Sequence, residues 1–137
     1  MPLYICNSKR GAVDAAAKEK IARDITDIHC EVTGAPEIFV HVVFFEESAQ
    51  FPLGESTLAV RGTIRKGRSS EQKERIAGAV KESLMQHGRV APEHTHAEIR
   101  ETPASWVLEG GEIMPEPGEE AAWFAAQEER RRAAGLQ

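Results

Sequence analysis

A strand–helix–strand order that occurs twice restricts the fold of this chain more than any other feature. Residues 2–6 are apolar and residues 7–11 are turn-like. Residues 14–32 are rich in Ala, Lys and Glu, with Ile21, Ile25, Ile28 and Val32 at helical spacing. Gly34 and Pro36 stop that helix. Residues 38–45 (IFVHVVFF) are apolar on both faces, the mark of a buried strand. After a loop at 46–55, residues 57–65 alternate, placing Leu58, Val60 and Ile64 on one face and Arg61 and Arg65 on the other. Ser69 and Gln72 make a capping box for a helix with Ile76, Val80 and Leu84 on its inner stripe, ended by Gly88. Residues 95–101 read as a fourth strand. The chain is therefore two tandem β-α-β units, 1–46 and 56–102, an internal repeat of about 55 residues.

These units predict an α+β fold, a four-stranded sheet with two helices on one face. The other face still carries apolar side chains and must be covered, and association of several copies is the economical answer. At 137 residues the chain has the length of one domain and can bury about two-thirds of its unfolded surface. The tail at 103–137 differs in character. Pro103, Gly110, Gly111, Pro115, Pro117 and Gly118 punctuate it, consistent with a hairpin, and residues 119–134 form a polar helix. Trp106, Trp123 and Phe124 within it are expected to dock on the domain or on a neighbouring subunit.

Charge and cysteine usage narrow the partners. A net charge of −5 argues against nucleic acid. No apolar run approaches the ~20 residues that span a bilayer, and the start lacks a signal-peptide pattern, so no membrane is expected. Cys6 and Cys30 form neither a CxxC pair nor a disulfide framework, which points to a reducing cytoplasm. His94 and His96 share a strand face, but no third ligand stands at a recognisable spacing, and no metal is expected. His41 and His87 offer nothing specific.

Several residues can carry chemistry. Pro2 follows the initiator methionine; if Met1 is trimmed, the chain starts with a secondary amine, and α-amino groups titrate near pH 8, within reach of acid–base work. Otherwise Pro2 is a stiff strand-edge residue. Arg65 and Arg68 lie where a strand ends and a helix begins, around Gly67; free N–H groups and two guanidiniums there can cradle a carboxylate or phosphate. A solvated basic turn is the other reading. His29, at the edge of the first helix's apolar stripe, is either a hydrogen-bond donor to a ligand or a half-buried helix residue. Glu109 stands in the apolar context Trp106-Val107-Leu108, which raises a carboxyl pKa and suits proton exchange with water, or it is a loop-surface glutamate. Glu98 alternates with His96 and Arg100 on one strand face, either salt-bridged or facing a site. The run Glu128 to Arg132 is a solvated helical face.

Taken together, Pro2, the tandem β-α-β units, His29, Arg65-Lys66-Gly67-Arg68-Ser69 and Pro115-Glu116-Pro117-Gly118 followed by Trp123-Phe124 resemble the tautomerase superfamily. Within it the chain is most similar to the cis-3-chloroacrylic acid dehalogenase group, from Pro2 to Phe124. The resemblance implies a 4-oxalocrotonate tautomerase-like fold and a homotrimer whose sheets form an inner barrel. It implies a cofactor-independent enzyme acting on small unsaturated or 2-oxo carboxylic acids by tautomerisation, hydration or hydrolytic dehalogenation. Pro2 would be the catalytic proline, Arg65 and Arg68 would hold the substrate carboxylate, His29 would assist, and Glu109 would activate water. At Glu98 the chain departs from the dehalogenases, which carry a tyrosine there. Hydration or tautomerisation survives that loss better than dehalogenation. The alternative from another class is a non-catalytic trimeric carboxylate-binding protein of the same fold.

Overall fold

In the computed structural model, which describes residues 1–135, four strands form one mixed sheet. The last two residues of the 103–137 tail lie outside the described residues. Strand β1 (Leu3–Ser8) leads through α1 (Ala15–Thr33) to β2 (His41–Glu46), and β3 (Leu58–Arg65) leads through α2 (Ser70–Gly88) to β4 (Thr95–Thr102). The order is β2-β1-β3-β4, with β1 parallel to β2, β3 parallel to β4, and β1 antiparallel to β3. Each β-α-β unit thus contributes one central and one edge strand. A right-handed crossover is the only packing of a helix between parallel neighbours that twisted strands favour.

The local reasons match the sequence. Asp14 caps α1 by accepting from the Ala17 N–H, and Gly34 ends it in the left-handed conformation at φ 73°. Ser69 and Gln72 form the expected reciprocal capping box on α2. Arg89 (φ 54°), rather than Gly88, takes the left-handed position after α2. Gly88 is needed for a different reason: a Cβ there would lie 2.8 Å from Leu58 Cδ2. Between sheet and helices, Tyr4, Cys6, Leu58, Val60 and Ile64 meet Ile21, Ile25, Ile76, Val80 and Leu84 in one buried core.

Two expectations change. The segment 38–45 is not a continuous strand buried on both faces: residues Glu37–Phe39 form a 3-10 turn, and β2 starts at His41. As an edge strand β2 covers α1 with Val42 and Phe44, while Val43 and Phe45 on the opposite face are 39% and 46% exposed. Its apolar run therefore records an uncovered sheet face as much as a core. Asn7, read as part of a turn, instead ends β1 fully buried; its side chain donates to the Phe51 and Ser48 carbonyls and accepts from the Ser48 N–H, pinning the 46–55 loop.

The tail folds back over the β1 end of the sheet. A short hairpin pairs β5 (Leu108–Glu109) with β6 (Glu112–Ile113), turning on Gly110 and Gly111, both at positive φ. Helix α3 (Glu120–Ala133) follows. Phe124 stacks on Phe39 at 5.3 Å and Trp123 meets it edge-on at 5.7 Å, while the Trp123 indole donates to the Ile113 carbonyl at 2.7 Å. Those two aromatics dock on the domain. Trp106 does not; it is 76% exposed.

Candidate active site

The amino terminus lies inside the molecule. Pro2 is fully buried at the head of β1, with its carbonyl accepting from the His41 N–H at 3.0 Å. Met1 is buried with Phe39, Ala104 and Met114, edged by Leu3, Val107 and Trp123. Its amino group is ion-paired with the Glu109 carboxylate, which the β5–β6 hairpin presents from the tail. His41 approaches the same carboxylate oxygen, Nε2 to Oε1 3.7 Å. Desolvation first, and the Arg65 charge second, lower the amine from 8.0 to about 6.

Arg65 ends β3 with its side chain 1% exposed. Its Nη1 donates to the Pro115 carbonyl at 2.6 Å and its Nη2 to Glu120 Oε1 at 2.7 Å, and the guanidinium lies 5.5 Å from the Phe39 ring centroid. Glu120 Oε2 accepts from the Gly118 N–H at 2.9 Å. Desolvation pushes the Glu120 carboxyl up, but the Arg65 bond prevails and holds it below the usual carboxylate value. Arg65 is thus already neutralised and tied to the Pro115–Gly118 turn. Arg68, three residues on, is not. Its buried Nε has no hydrogen-bond partner, and Nη1 reaches only the Thr33 carbonyl, at 3.4 Å. A half-buried guanidinium whose buried Nε–H has no partner is suited to receive an anion.

His29 is 1% exposed on the inner face of α1, with Nδ1 2.8 Å from the Tyr4 hydroxyl. Its pKa is lowered from 6.5 to about 4, first by desolvation, then by the charges of Arg68, Arg65 and the amino terminus. Three positive charges thus bear on this one buried ring. Because the folded pKa lies below the unfolded one, the folded state resists protonation. Stability due to His29 is complete above pH 6.5 and is lost as pH falls towards 4, by about 3 kcal/mol in total. Urea unfolding of the wild type and of His29→Gln between pH 7 and pH 4 should show a steeper loss in the wild type. Parallel profiles would assign the acid sensitivity to other groups.

The residues singled out in the sequence therefore fall into two groups. Pro2 and Glu109 lie at the start of the chain, the Arg65 charge bears on its amine, and Arg68 and His29 stand beside one another and Arg65. Glu98 does not join them within one protomer: it lies on the sheet face away from the helices, where β3 and β4 pair Arg61 with Glu98. Arg61 Nε donates to Glu98 at 3.1 Å and Arg100 Nε at 3.4 Å; against the upward push of desolvation, these cations keep the carboxyl low. Tyr4, Phe39 and Glu120 escaped the sequence reading. Tyr4 and Phe39 look like ordinary core residues in apolar runs, and Glu120 like one acid among many in a polar helix. Only its place two residues after Gly118, where an N–H is free to bond it, sets Glu120 apart.

A cleft of 450 Å³ lined by Phe39, His41, Glu109, Trp123, Phe124 and Arg131 opens this region to solvent at Glu109. Another, of 520 Å³, lies near Asp14, Lys20 and His87 and holds none of these residues. Among the described residues, no group of three or more His, Cys, Asp or Glu side chains converges for a metal, and no helix is long and apolar enough to cross a membrane.

Comparison with known proteins adds to this picture. A family model described as putative oxalocrotonate tautomerase enzyme matches residues 1–129. No curated protein matches the sequence. Among solved structures, N1, a member of the cis-3-chloroacrylic acid dehalogenase (cis-CaaD) family, is 27% identical, covers 98% of this chain and 100% of its own, and superposes with a TM-score of 0.82. Native Ps01740 is 31% identical over 79% of this chain and 100% of its own, with a TM-score of 0.69. The wild-type F6 fused 4-OT, an asymmetric trimer, shares the fold at 19% identity over 82% of this chain and 95% of its own, with a TM-score of 0.70.

Proposed function

This chain belongs to the family of putative oxalocrotonate tautomerase enzymes, and from that premise we propose that Pro2, once Met1 is removed, carries protons on small unsaturated or 2-oxo carboxylic acids. The observation that carries this reading is the company kept by the amino terminus. Pro2 is buried, the amine attached to it touches Glu109, and Arg65 bears on that amine's pKa. Removal of Met1 makes the Pro2 nitrogen a secondary amine in that setting. The desolvation and positive charge that lower the Met1 amine also favour an uncharged proline, which is a base near neutral pH.

A base in that position suits keto–enol tautomerisation above the other reactions of the group. The proline nitrogen takes the enol hydroxyl proton and returns it at the β-carbon, so the carbonyl forms, the carbon–carbon double bond is lost, and no electron or proton is gained overall. The substrate carboxylate goes to Arg68, whose Nε has no other partner. Arg65, held by Glu120, contributes its position and part of the local field. Neutral His29 contributes a hydrogen bond, and Glu109 stabilises the proline cation that exists between the two proton transfers. Hydration and hydrolytic dehalogenation, which need Glu109 to activate water, come second, because Glu98 is committed to Arg61 and Arg100 and supplies no phenol.

The exposed Val43 and Phe45 on the outer sheet face support assembly into a homotrimer, and the F6 fused 4-OT is an asymmetric trimer. The deciding experiment uses chain shown by intact mass to begin at Pro2. Ultraviolet assays should record ketonisation of phenylenolpyruvate at rates above any halide release from 3-haloacrylates. Turnover of neither, with small carboxylates still bound, would make this a carboxylate-binding protein.

A further inference from the structure

The buried pair Tyr4–His29 carries an inference about how the site is set for that reaction. Tyr4 is the only tyrosine in the chain and is fully buried in β1, facing α1. Its hydroxyl is 2.8 Å from His29 Nδ1, and the two rings meet edge to face at 5.8 Å and 77°. The strand beside it is cut to receive the phenol. Gly62 of β3 stands opposite Tyr4 in the register, and a Cβ on Gly62 would come within 2.4 Å of Tyr4 Cε1 and 2.9 Å of Ile99 Cδ1. Any side chain at that position would displace the ring and with it the hydroxyl.

The direction of the hydrogen bond follows from accounting for one hydrogen. Burial holds the phenol far above its ordinary range, so it keeps its proton throughout the working pH range. A buried hydroxyl hydrogen needs an acceptor, and among the described residues the one partner of Tyr4 Oη is His29 Nδ1. His29 is itself neutral near pH 7, so it carries one ring proton only. Nδ1 accepts; the proton is on Nε2. That nitrogen bonds to no protein group among the described residues, and the ring shares the neighbourhood of Arg65, Arg68 and the amino terminus.

We propose that Tyr4 is a positioning residue that fixes His29 as a neutral Nε2–H donor for the 2-oxygen of the bound acid, a role that rests on the tautomerase reading above. As the proline nitrogen removes the enol proton, negative charge develops on that oxygen, and the Nε2–H stabilises it without transferring its hydrogen. The opposite tautomer would aim a lone pair at the oxygen and repel it.

Histidine imidazole 15N–1H correlation spectra, together with kinetics on the trimmed chain, test this. Tyr4→Phe keeps the ring against Gly62 and removes only the hydroxyl. The wild type should show His29 as the Nε2–H form, and Tyr4→Phe a shift towards Nδ1–H with an unchanged cooperative melt. For enol acids kcat should fall by about tenfold or more while KM changes little, and adding Tyr4→Phe to His29→Ala should cost nothing further. A wild-type Nδ1–H ring, a tautomer unmoved by Tyr4→Phe, or losses that add in the double variant would each overturn the proposal. Absence of turnover by the wild type would instead remove the tautomerase reading, and the spectra would still decide what Tyr4 does to His29.

Discussion

Protein that keeps Met1 is expected to turn over enol acids at least about 1,000-fold more slowly than protein that begins at Pro2, close to the limit of detection. Two separate effects combine. With Met1 attached, the Pro2 nitrogen is an amide nitrogen, whose lone pair is delocalised and cannot accept a proton at neutral pH. Met1 also occupies the place beside Glu109: its side chain is buried with Phe39, Ala104 and Met114, and its own amino group contacts the carboxylate. The unprocessed chain is thus both without a base and filled. The comparison calls for two preparations sorted by intact mass and assayed with the same enol acid. Equal rates in both would end the proline mechanism. Pro2→Ala, trimmed in the same way, separates the two effects, because its primary amine is free and the site is empty; its rate should lie between the other two.

The second large effect is on stability. Arg65→Ala should lower the unfolding free energy by about 3–5 kcal/mol, because it leaves the largely buried Glu120 carboxylate and the Pro115 carbonyl without their cation. At roughly 4 °C per kcal/mol for a chain of this size, the melting midpoint falls by about 12–20 °C. Arg65→Lys should recover little, since one ammonium on a shorter arm cannot serve both acceptors in the geometry of a guanidinium. Replacing both partners, as in Arg65→Met with Glu120→Gln, should recover most of the loss, because no buried charge then stands alone. Arg68→Ala is the contrasting variant, with a small change in melting and a raised KM. Should Arg65→Ala melt like the wild type and raise KM instead, the guanidinium would be a substrate ligand and the pair with Glu120 incidental.

How much of this could be read from the amino acids depends on the range of the interaction. The tandem β-α-β order was legible because it is written in local signals: the Ser69–Gln72 capping box, Gly34 at a left-handed position, and the spacing of Ile21, Ile25, Ile76 and Val80. The run Ile38 to Phe45 misled, because apolar composition alone cannot tell a strand buried on both faces from an edge strand whose outer face awaits another surface. Arg65 and Arg68 are indistinguishable as letters. What separates them is Glu120, 55 positions away, which reaches one and not the other. Likewise, nothing in the spacing of Tyr4 and His29 announces their bond. It arises because a strand and the helix that follows it close around a glycine on the next strand.

The burial of Met1 has a consequence for how this protein must be made. Only 8% of that residue is exposed, and it packs with Ala104, Val107, Met114 and Trp123, residues from the last quarter of the chain. An aminopeptidase acts on an extended terminus, so its opportunity closes when translation reaches those residues and they settle over the first strand. On the proposal that Met1 is removed, the peptidase has to act before that happens. On the same proposal, a molecule that keeps Met1 folds but lacks the proline base.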